Sequence, residues 1–483
     1  MPARTGRQYI EGLRERPPNL YMNGKMVKDP TTQPGLEGGI RTMGRLYDLQ
    51  HDPVIGREMT YTSPTSGDQV GMSFLTPKTH EDLEKRHKMM RHWARITCGM
   101  MGRTPDFLNV SMMSMAAAGK YFGQNRPEFE KNIRDYYELV REKDLVLTHT
   151  LVNIQRNRSP AATALEDSVD VALSVVKETD AGIIVNGARV LATLPIADEI
   201  AVYPARSHRL PTGAPGRTSF AFAIPCDTPG LKFQCRESFD LQRSSFDHPL
   251  GSRFEEMDAL AFFDNVLVPW ERVFLYGDVD MCNNMSLRTH QFLHSGHQVV
   301  TKNVVKCEFI LGLANLMVKI LGSGEQPQVH GMLAEIIENL EITKALLRAA
   351  EVDAELDEWG VMCPVDMPLM VARQQFIKMY PRMGEILHLL GSSSLMALPT
   401  EDDFEGPLAE DITLYLETDF ASAKDRVRLF RLAWDTCCSA FGSRQILYER
   451  FFQGDRNRNV VLMNSRFDKE PMSEWVQEFL DQE

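Results

Sequence analysis

The sequence lacks most of the features that mark secreted, membrane-spanning or nucleic-acid-binding proteins. Its 483 residues include eight cysteines but no Cys-x-x-Cys pair, so neither a zinc ribbon nor a disulfide framework is predicted, and reduced thiols are expected. No apolar run approaches the roughly 18 residues that a membrane span needs, and no signal-peptide core follows the basic N-terminal residues. Nucleic-acid binding needs a basic surface, so the net charge of −13 argues against it. We therefore expect a cytoplasmic protein that binds neither membrane nor nucleic acid.

The common nucleotide-binding and esterase motifs are also missing. No Gly-x-Gly-x-x-Gly follows a predicted strand, and there is no Walker loop and no Gly-x-Ser-x-Gly elbow. A dinucleotide or flavin held by a Rossmann unit is therefore not expected.

The pattern of apolar residues changes twice along the chain and predicts three units. Residues 1–147 are mainly helical in pattern. Residues 148–277 contain short strand-like runs, and Asn186-Gly187 between two apolar runs predicts a hairpin turn. Residues 278–483 predict a helical bundle with a C-terminal tail. The helices expected in this bundle span 288–321, 327–355, 366–390 and 410–451. The predicted fold class is α+β and multidomain, with a central β-barrel or sandwich between two helical units.

The stretch from Leu145 to Ser159 is the most unusual part of the sequence. It places His149 between two threonines directly after an apolar entry, and several amide, guanidinium and hydroxyl side chains follow within ten residues. Buried polar groups need partners, and a flat heteroaromatic ligand supplies many. The alternative is a solvated connection between two domains, in which His149 is a satisfied structural histidine.

Three further features suggest a cleft. Gly102 and Pro105 break a helical pattern, so Arg103 lies at a bend and either projects into a cleft or pairs with a carboxylate. The polar segment 206–217 fits either a mobile cover for a site or a hairpin tip. His290, His294 and His297 have the spacing of one helix face, but without a nearby carboxylate they do not predict a metal site. At least one of these histidines is expected to line a polar pocket, and core or surface positions remain the alternative.

Five stretches carry a family resemblance. They are GRTPDF at 102–107, LTHTLVN with Gln155, Arg158 and Ser159 across 147–159, VVKETDAGIIVNGARVLATLPIADEI at 175–200, HPLGSRFEEMDALAFFDNVLVPWERVF at 248–274, and FGSRQILYERFFQGD at 441–455. In this order they resemble the large oxygenase components of the 4-hydroxyphenylacetate 3-monooxygenase family of two-component phenol monooxygenases. The resemblance spans essentially the whole chain.

The resemblance implies an acyl-CoA dehydrogenase-like fold and flavin-dependent chemistry. In this family a separate NAD(P)H:flavin reductase supplies reduced FAD, which reacts with O2 in the oxygenase component to a C4a-hydroperoxide. The distal oxygen is then transferred to the carbon ortho to the hydroxyl of a small para-substituted phenol such as 4-hydroxyphenylacetate, which gives a catechol. The flavin supplies the hard chemistry, while the protein positions the ring and excludes water. The resemblance also implies a homotetramer.

The same resemblance assigns site residues. Arg103 and His149 match two members of the family's substrate trio and are expected to be the catalytic anchors of the phenolic oxygen. Phe107 stands where the family has a tyrosine, so it can wall an aromatic ring but cannot form a hydrogen bond. His297 and Ser207 are further expected substrate contacts, the first from a His-Gln pair and the second from a loop that closes over substrate. The expected flavin-binding residues are His149, Thr150, Gln155, Arg158, Ser159, Thr193, Phe452, Gly454 and Asp455.

Three other activities occur on or near this fold. A halophenol or nitrophenol monooxygenase is the main alternative; His149 argues against it and Phe107 weakens that argument. An iron–sulfur dehydratase resembling 4-hydroxybutyryl-CoA dehydratase is excluded because Cys98 has Gly102 four residues later instead of a second cysteine. A flavin-free relative is disfavoured by the retained Gln155, Ser159 and Thr193.

Overall fold

The computed structural model describes residues 3–154, 172–204, 210, 213–452, 454 and 456–482. The helices are α1 Gly6–Glu15, α2 Glu37–Asp48, α3 Gly56–Met59, α4 His80–Ile96, α5 Pro105–Ala117, α6 Gly119–Gly123, α7 Pro127–Lys143, α8 Gly251–Phe254, α9 Val279–Arg288, α10 Gln291–Leu321, α11 Pro327–Val352, α12 Asp366–Gly391, α13 Ala409–Leu416, α14 Ala423–Cys437, α15 Ala440–Phe451, α16 Arg456–Arg466 and α17 Glu470–Leu480. The strands are β1 Leu20–Met22, β2 Lys25–Met26, β3 Thr60–Thr62, β4 Gln69–Gly71, β5 Leu147–Thr150, β6 Val152–Asn153, β7 Ser174–Thr179, β8 Gly182–Thr193, β9 Glu199–Val202, β10 Phe220–Pro225, β11 Leu231–Cys235, β12 Asp258–Pro269, β13 Val273–Tyr276, β14 Glu355–Leu356 and β15 Met362–Cys363. Their order follows the predicted succession of helical, β and helical parts.

The N-terminal helices begin and end at residues with the expected capping chemistry. The Thr5 hydroxyl accepts a hydrogen bond from the Gln8 amide, and the Gln8 side chain accepts one from the Thr5 amide, which forms a capping box at α1. Pro127 occupies the first turn of α7, and Asp144 ends that helix in the left-handed conformation. Trp93 of α4 is buried, and its indole donates to the Leu46 carbonyl at 2.9 Å. These contacts build one helical layer against the central sheets.

The central unit is a sandwich of two sheets. Over the described residues, the larger sheet has the order β2-β1-β11-β12-β8-β6, with β7 also paired to β8, and the smaller has the order β13-β10-β9-β5. Phe222 of β10 and Phe263 of β12 meet edge to face with ring centroids 6.4 Å apart, so the two inner faces pack on each other. β5, which carries His149, pairs in parallel with β9. Because β1 pairs with β11, the N-terminal part also contributes to the larger sheet.

The hairpin predicted at Asn186-Gly187 is wrong. Both residues lie inside the long strand β8. The chain instead turns six residues earlier, at Asp180-Ala181, where Thr179 of β7 pairs with Gly182 of β8. Gly187 has φ +125°, and a Cβ there would meet the Ala172 carbonyl oxygen at 2.6 Å. The glycine therefore serves a close approach of two backbones rather than a turn.

The C-terminal bundle differs from its prediction in two places. The single helix expected at 410–451 is divided into α13, α14 and α15, because the hydroxyls of Ser422 and Ser439 accept hydrogen bonds from the Asp425 and Gly442 amides and begin new helices. The helix expected from residue 288 begins at Gln291, since His290 has the left-handed conformation. The helices predicted at 327–355 and 366–390 are confirmed as Pro327–Val352 and Asp366–Gly391.

The three predicted units stay proposals as domains. Their first boundary, between 147 and 148, falls inside β5, whereas the second, between 277 and 278, falls between β13 and α9. In the part of the chain that the structure describes, every helix is either too short or too polar to cross a bilayer.

Candidate functional site

A cavity of about 1000 Å³ lies where the helical N-terminal part, the central sheets and the C-terminal bundle meet. Its walls include Arg103 and Phe107 from the bend before α5, Leu151 beyond β5, Tyr203 beyond β9, and several residues of α10. Further wall residues come from α12, from the end of α15 and from α16; they are Met370, Arg373, Gln374, Phe451, Phe452, Gly454, Asn457, Arg458, Val461, Leu462, Ser465 and Arg466. The lining combines aromatic rings with many polar side chains, including four arginines, and so suits an organic ligand that carries both rings and anionic or polar groups.

Arg103 is held at the bend by its backbone. The Arg103 amide donates to Glu256 Oε1 at 2.7 Å. Its guanidinium carbon lies 4.0 Å from the ring centre of Phe107, 5.1 Å from that of Phe452 and 5.6 Å from that of Tyr448. Among the described residues, the buried Nε and Nη1 atoms have no hydrogen-bond partner. The alternative of a side-chain ion pair is therefore not seen there, and the guanidinium faces the cavity among aromatic rings.

The other predicted anchor, His149, is buried in β5 beside the same aromatic wall. Its ring centre lies 5.6 Å from that of Phe107 and 6.2 Å from that of Tyr203, with which it stacks at 14°. Burial, reinforced by the Arg103 charge, holds the pKa of His149 well below its usual value. Within the described part of the chain, His149 Nδ1 and the neighbouring Thr150 Oγ1 are buried without a partner. The structure therefore brings a neutral imidazole and a guanidinium together around Phe107.

A buried network of ion pairs and hydrogen bonds holds together the elements that carry Arg103 and His149. Arg444 of α15 donates to Glu256 Oε2 at 2.7 Å and to Asp258 Oδ1 at 2.8 Å. The Thr193 hydroxyl donates to Asp258 Oδ1 at 3.0 Å, and the Thr193 carbonyl accepts from the Thr148 hydroxyl at 2.8 Å. Burial opposes ionisation of Asp258, but Arg444 and then Arg236 outweigh it and hold its pKa at about 2. The network fastens α15 to β12 and to the bend that carries Arg103.

A second buried cluster joins the same helix to α10. Glu449 Oε1 accepts from Lys302 Nζ and, at 2.8 Å, from Lys306 Nζ. Gln445 accepts from Lys306 and donates to the Met100 carbonyl at 2.9 Å, close to the bend. Burial lowers the pKa of Lys306 to about 8 despite the attraction of Glu449. An unpaired buried charge is costly, so each lysine depends on the carboxylate.

Sequence reasoning missed both networks. Glu256, Asp258 and Arg444 lie inside two of the five stretches that carry the family resemblance, so a search of those stretches for buried charges could have found them. Lys302 and Lys306 stand one helical turn apart on an otherwise apolar helix, which was an available signal.

The remaining predicted residues divide into three groups. Phe452 and Gly454 line the cavity, whereas Thr193 belongs to the buried network through its hydrogen bond to Asp258. His297 is not among the lining residues; its Nε2 faces Glu351 Oε1 at 2.7 Å. The predicted common face of three histidines is wrong for His290, which precedes the helix and pairs with Glu358. The residues that lie outside the described part are Gln155, Arg158, Ser159, Ser207 and Asp455.

Comparison with known proteins gives matches along nearly the whole chain. Family models described as 4-hydroxyphenylacetate 3-hydroxylase N terminal and C terminal match residues 5–275 and 282–481. The 4-hydroxyphenylacetate 3-monooxygenase oxygenase component of Thermus thermophilus is 46% identical over 478 residues, which cover 99% of this chain and 97% of the relative. The corresponding protein of a Geobacillus species is 44% identical over 482 residues, with coverage of 99% and 97%.

Solved structures agree with these matches. A crystal structure of an oxygenase component of 4-hydroxyphenylacetate 3-monooxygenase, complexed with FAD and 4-hydroxyphenylacetate, aligns with a TM-score of 0.94 at 45% identity and covers 99% of both chains. An archaeal 4-hydroxybutyryl-CoA dehydratase aligns with a TM-score of 0.89 at 19% identity, over 99% of this chain and 95% of the other, and shares the fold alone. The predicted α+β multidomain fold class of the acyl-CoA dehydrogenase-like type is confirmed.

The lowered pKa of His149 predicts a pH-dependent stability. In the unfolded chain a histidine titrates at about pH 6.5. Below that pH the unfolded chain therefore binds a proton at His149 that the folded chain does not bind. The free energy of unfolding should therefore fall with decreasing pH by up to about 1.4 kcal/mol per pH unit from this residue. Thermal midpoints of the wild type and His149→Gln, measured between about pH 7 and pH 5, should converge as the pH falls. Parallel profiles would contradict a neutral, buried His149.

Proposed function

The chain belongs to the 4-hydroxyphenylacetate 3-hydroxylase family, whose two models together match residues 5–275 and 282–481, and we propose that it is the oxygenase component of a two-component flavin-dependent monooxygenase. In this proposal it uses reduced FAD and O2 to hydroxylate a para-substituted phenol, 4-hydroxyphenylacetate or a similar compound, at the carbon ortho to the hydroxyl. The product is a catechol.

The observation that carries the proposal is the pair of Arg103 and His149 around one ring. Both side chains contact Phe107, and both present buried polar atoms without a hydrogen-bond partner in the described structure. A neutral imidazole can accept the proton of a phenol, and a guanidinium stabilises the phenolate that results. Phenolate character raises electron density at the ortho carbon, which is the position that hydroxylation attacks.

The cavity also suits a flavin. Its volume of about 1000 Å³ is more than a small phenol needs. The buried Thr150 hydroxyl has no hydrogen-bond partner among the described residues and is free to bond to an isoalloxazine there. The backbone at Gly454 and the rings of Phe451 and Phe452, which line the cavity, offer further polar and flat contacts. Reduced FAD, when bound, supplies the activation of O2. The residues proposed to contact it are His149, Thr150, Thr193, Phe452 and Gly454, together with Gln155, Arg158, Ser159 and Asp455 of the segments outside the described residues.

Exclusion of water is the third contribution of the protein. Leu151, Val152, Leu287, Val299 and Met370 supply apolar walls of the cavity that Arg103 and Phe107 also line. Water in the site would favour loss of hydrogen peroxide over oxygen transfer. We propose that Ser207, in the predicted covering loop, completes this enclosure and contacts substrate. Over the described residues the cavity walls do not include His297, whose Nε2 faces Glu351, so a substrate contact by His297 is not part of this proposal.

The partner and the location follow from the same chemistry. Reduced FAD has to be supplied by a separate NAD(P)H:flavin reductase, because the function assigned to this chain only consumes it. A cytoplasmic location is proposed because all eight cysteines are free thiols, as reducing compartments maintain them.

A second candidate function is favoured by Phe107. Its ring lies against His149 and Arg103 but offers no hydroxyl, so the site has one donor fewer than the family pattern implies. A halophenol or a nitrophenol, which ionises more readily than 4-hydroxyphenylacetate, would depend less on that donor. Products from 4-hydroxyphenylacetate and from a 4-halophenol, with chemically reduced FAD and O2, separate the two candidates.

The principal prediction concerns His149→Ala. We expect catechol yield per reduced FAD to fall by at least about 100-fold, while hydrogen peroxide still forms, because the phenol loses its proton acceptor. The assay supplies chemically reduced FAD, O2 and 4-hydroxyphenylacetate, and it quantifies catechol and hydrogen peroxide. His290→Ala, which lies beside Glu358 and outside the cavity, is the control and should retain the wild-type yield. Normal catechol yield in His149→Ala would refute its role.

A second prediction concerns substrate preference. Phe107→Tyr restores a phenolic hydroxyl beside His149 and Arg103, and one hydrogen bond is worth about 1 kcal/mol. We expect the ratio of kcat/KM values for 4-hydroxyphenylacetate and 4-halophenols to change by up to about tenfold. An unchanged ratio would mean that position 107 only packs.

A third prediction concerns assembly, which we propose to be a homotetramer. On α17, Met472, Trp475, Val476, Phe479 and Leu480 are 52%, 71%, 54%, 71% and 64% exposed and recur at helical spacing, which forms an uncovered apolar stripe. A double variant, Trp475→Ser with Phe479→Ser, should sediment as a smaller species than the wild type. Val54→Ser, at an isolated apolar position that is 73% exposed, is the control. A wild-type monomer, or an unchanged sedimentation of the double variant, would contradict this role.

A further inference from the structure

Two histidines and one carboxylate from three helices meet outside the phenol cavity. Glu351, near the end of α11, accepts from His297 Nε2 of α10 at 2.7 Å and also from His87 Nδ1 of α4. The three candidate ligand atoms all lie within 4.8 Å of one another. The imidazole rings are 6.0 Å apart and inclined at 66°, so they approach the carboxylate from separate directions.

This cluster is buried on one side and open on the other. The His297 side chain is 0% exposed, whereas His87 and Glu351 are 22% and 23% exposed. His87 and Glu351 also line a separate cavity of about 410 Å³, which provides both an entry path and space for water. Arg91, on the wall of this cavity, is paired with Glu308 at 2.8 Å.

The ligand types suit a divalent cation of borderline softness. Imidazole nitrogen and carboxylate oxygen are common zinc ligands, and zinc sites with three protein ligands keep a fourth position for water.

We propose that His87, His297 and Glu351 form a Zn²⁺ site, with a water molecule from the adjoining cavity as the fourth ligand. Zinc-ligand bonds of about 2.0–2.2 Å in a tetrahedron separate neighbouring ligand atoms by roughly 3.3 Å. The two contacts to Glu351 are shorter than this value and would lengthen on binding, while all three ligand atoms already lie within 4.8 Å of one another. The ion joins α4 to α10 and α11, and it is separate from the cavity that contains Arg103. The site does not depend on the proposed monooxygenase activity.

Two other clusters of this chain make the test selective. His290 pairs with Glu358 at 2.8 Å as a single imidazole with a single carboxylate, so it provides a matched control with too few ligands. His388, Cys437 and Cys438 form a thiol-containing group whose ligand atoms also lie within 4.8 Å of one another. Cobalt bound to thiolate has a charge-transfer absorption that cobalt bound to nitrogen and oxygen lacks, so the two sites are distinguishable.

The experiment uses the full-length, untagged chain after treatment with a chelator. Calorimetric titration with Zn²⁺ should show one tight site per chain, and Co²⁺ should give a tetrahedral spectrum without thiolate charge transfer. Loss of an outer-shell partner typically weakens a metal site roughly 10- to 100-fold, so removal of a ligand in Glu351→Gln or His87→Asn should weaken it by more. His290→Asn and the double variant Cys437→Ser with Cys438→Ser should bind as the wild type does.

A stability measurement guards against variants that merely unfold. Zn²⁺ should raise the thermal midpoint of the wild type and of His290→Asn, but not that of His87→Asn, whose side chain is partly exposed and tolerates replacement. Three outcomes would each overturn the proposal. The wild type fails to bind Zn²⁺, or Glu351→Gln and His87→Asn bind Zn²⁺ as tightly as the wild type does, or the cobalt spectrum shows thiolate charge transfer.

Discussion

The candidate site depends on one buried carboxylate, Glu256, which holds two arginines in different ways. Its Oε1 accepts the Arg103 backbone amide at 2.7 Å, while its Oε2 accepts the Arg444 side chain at 2.7 Å. The charge of Glu256 is thus paired with the Arg444 side chain, while Arg103 is bound to it through the backbone amide. The Arg103 guanidinium lies instead among the rings of Phe107, Tyr448 and Phe452.

Burial determines the electrostatic properties of Arg103 and His149, the two polar groups beside Phe107. In a region of low dielectric, the Arg103 charge acts on His149 and Tyr448 more strongly than it would in water. The same burial keeps His149 neutral, so one of its ring nitrogens can accept a hydrogen bond. The Lys302–Lys306–Glu449 cluster contributes on the far side of the Tyr448 and Phe452 rings, where it fixes α15 and thereby the aromatic wall.

Local sequence patterns predicted secondary structure correctly where residues within the same element determine it. The helical spacing of Phe129, Ile133, Tyr136, Tyr137 and Val140 predicts a helix over 127–143, and the structure has Pro127–Lys143. Local patterns failed where a distant segment of the chain determined the structure. Asn186-Gly187 has the composition of a hairpin turn, but position 187 requires glycine because a Cβ there would clash with the Ala172 backbone. Ser422 and Ser439 were overlooked as helix N-caps because apolar residues recur on both sides of each.

By itself, the sequence determined the order of helical and β parts, the family, and the candidates Arg103, Phe107 and His149, because motifs and periodicity are properties of neighbouring residues. Only the tertiary structure decided which side chains meet. It placed His297 against Glu351 rather than in the cavity wall and paired Glu256 with Arg444. It also set the Arg103 guanidinium, whose Nε and Nη1 have no partner among the described residues, among three rings. Such pairings join residues from separate elements, and their geometry follows from how helices and sheets pack, which a linear pattern does not contain.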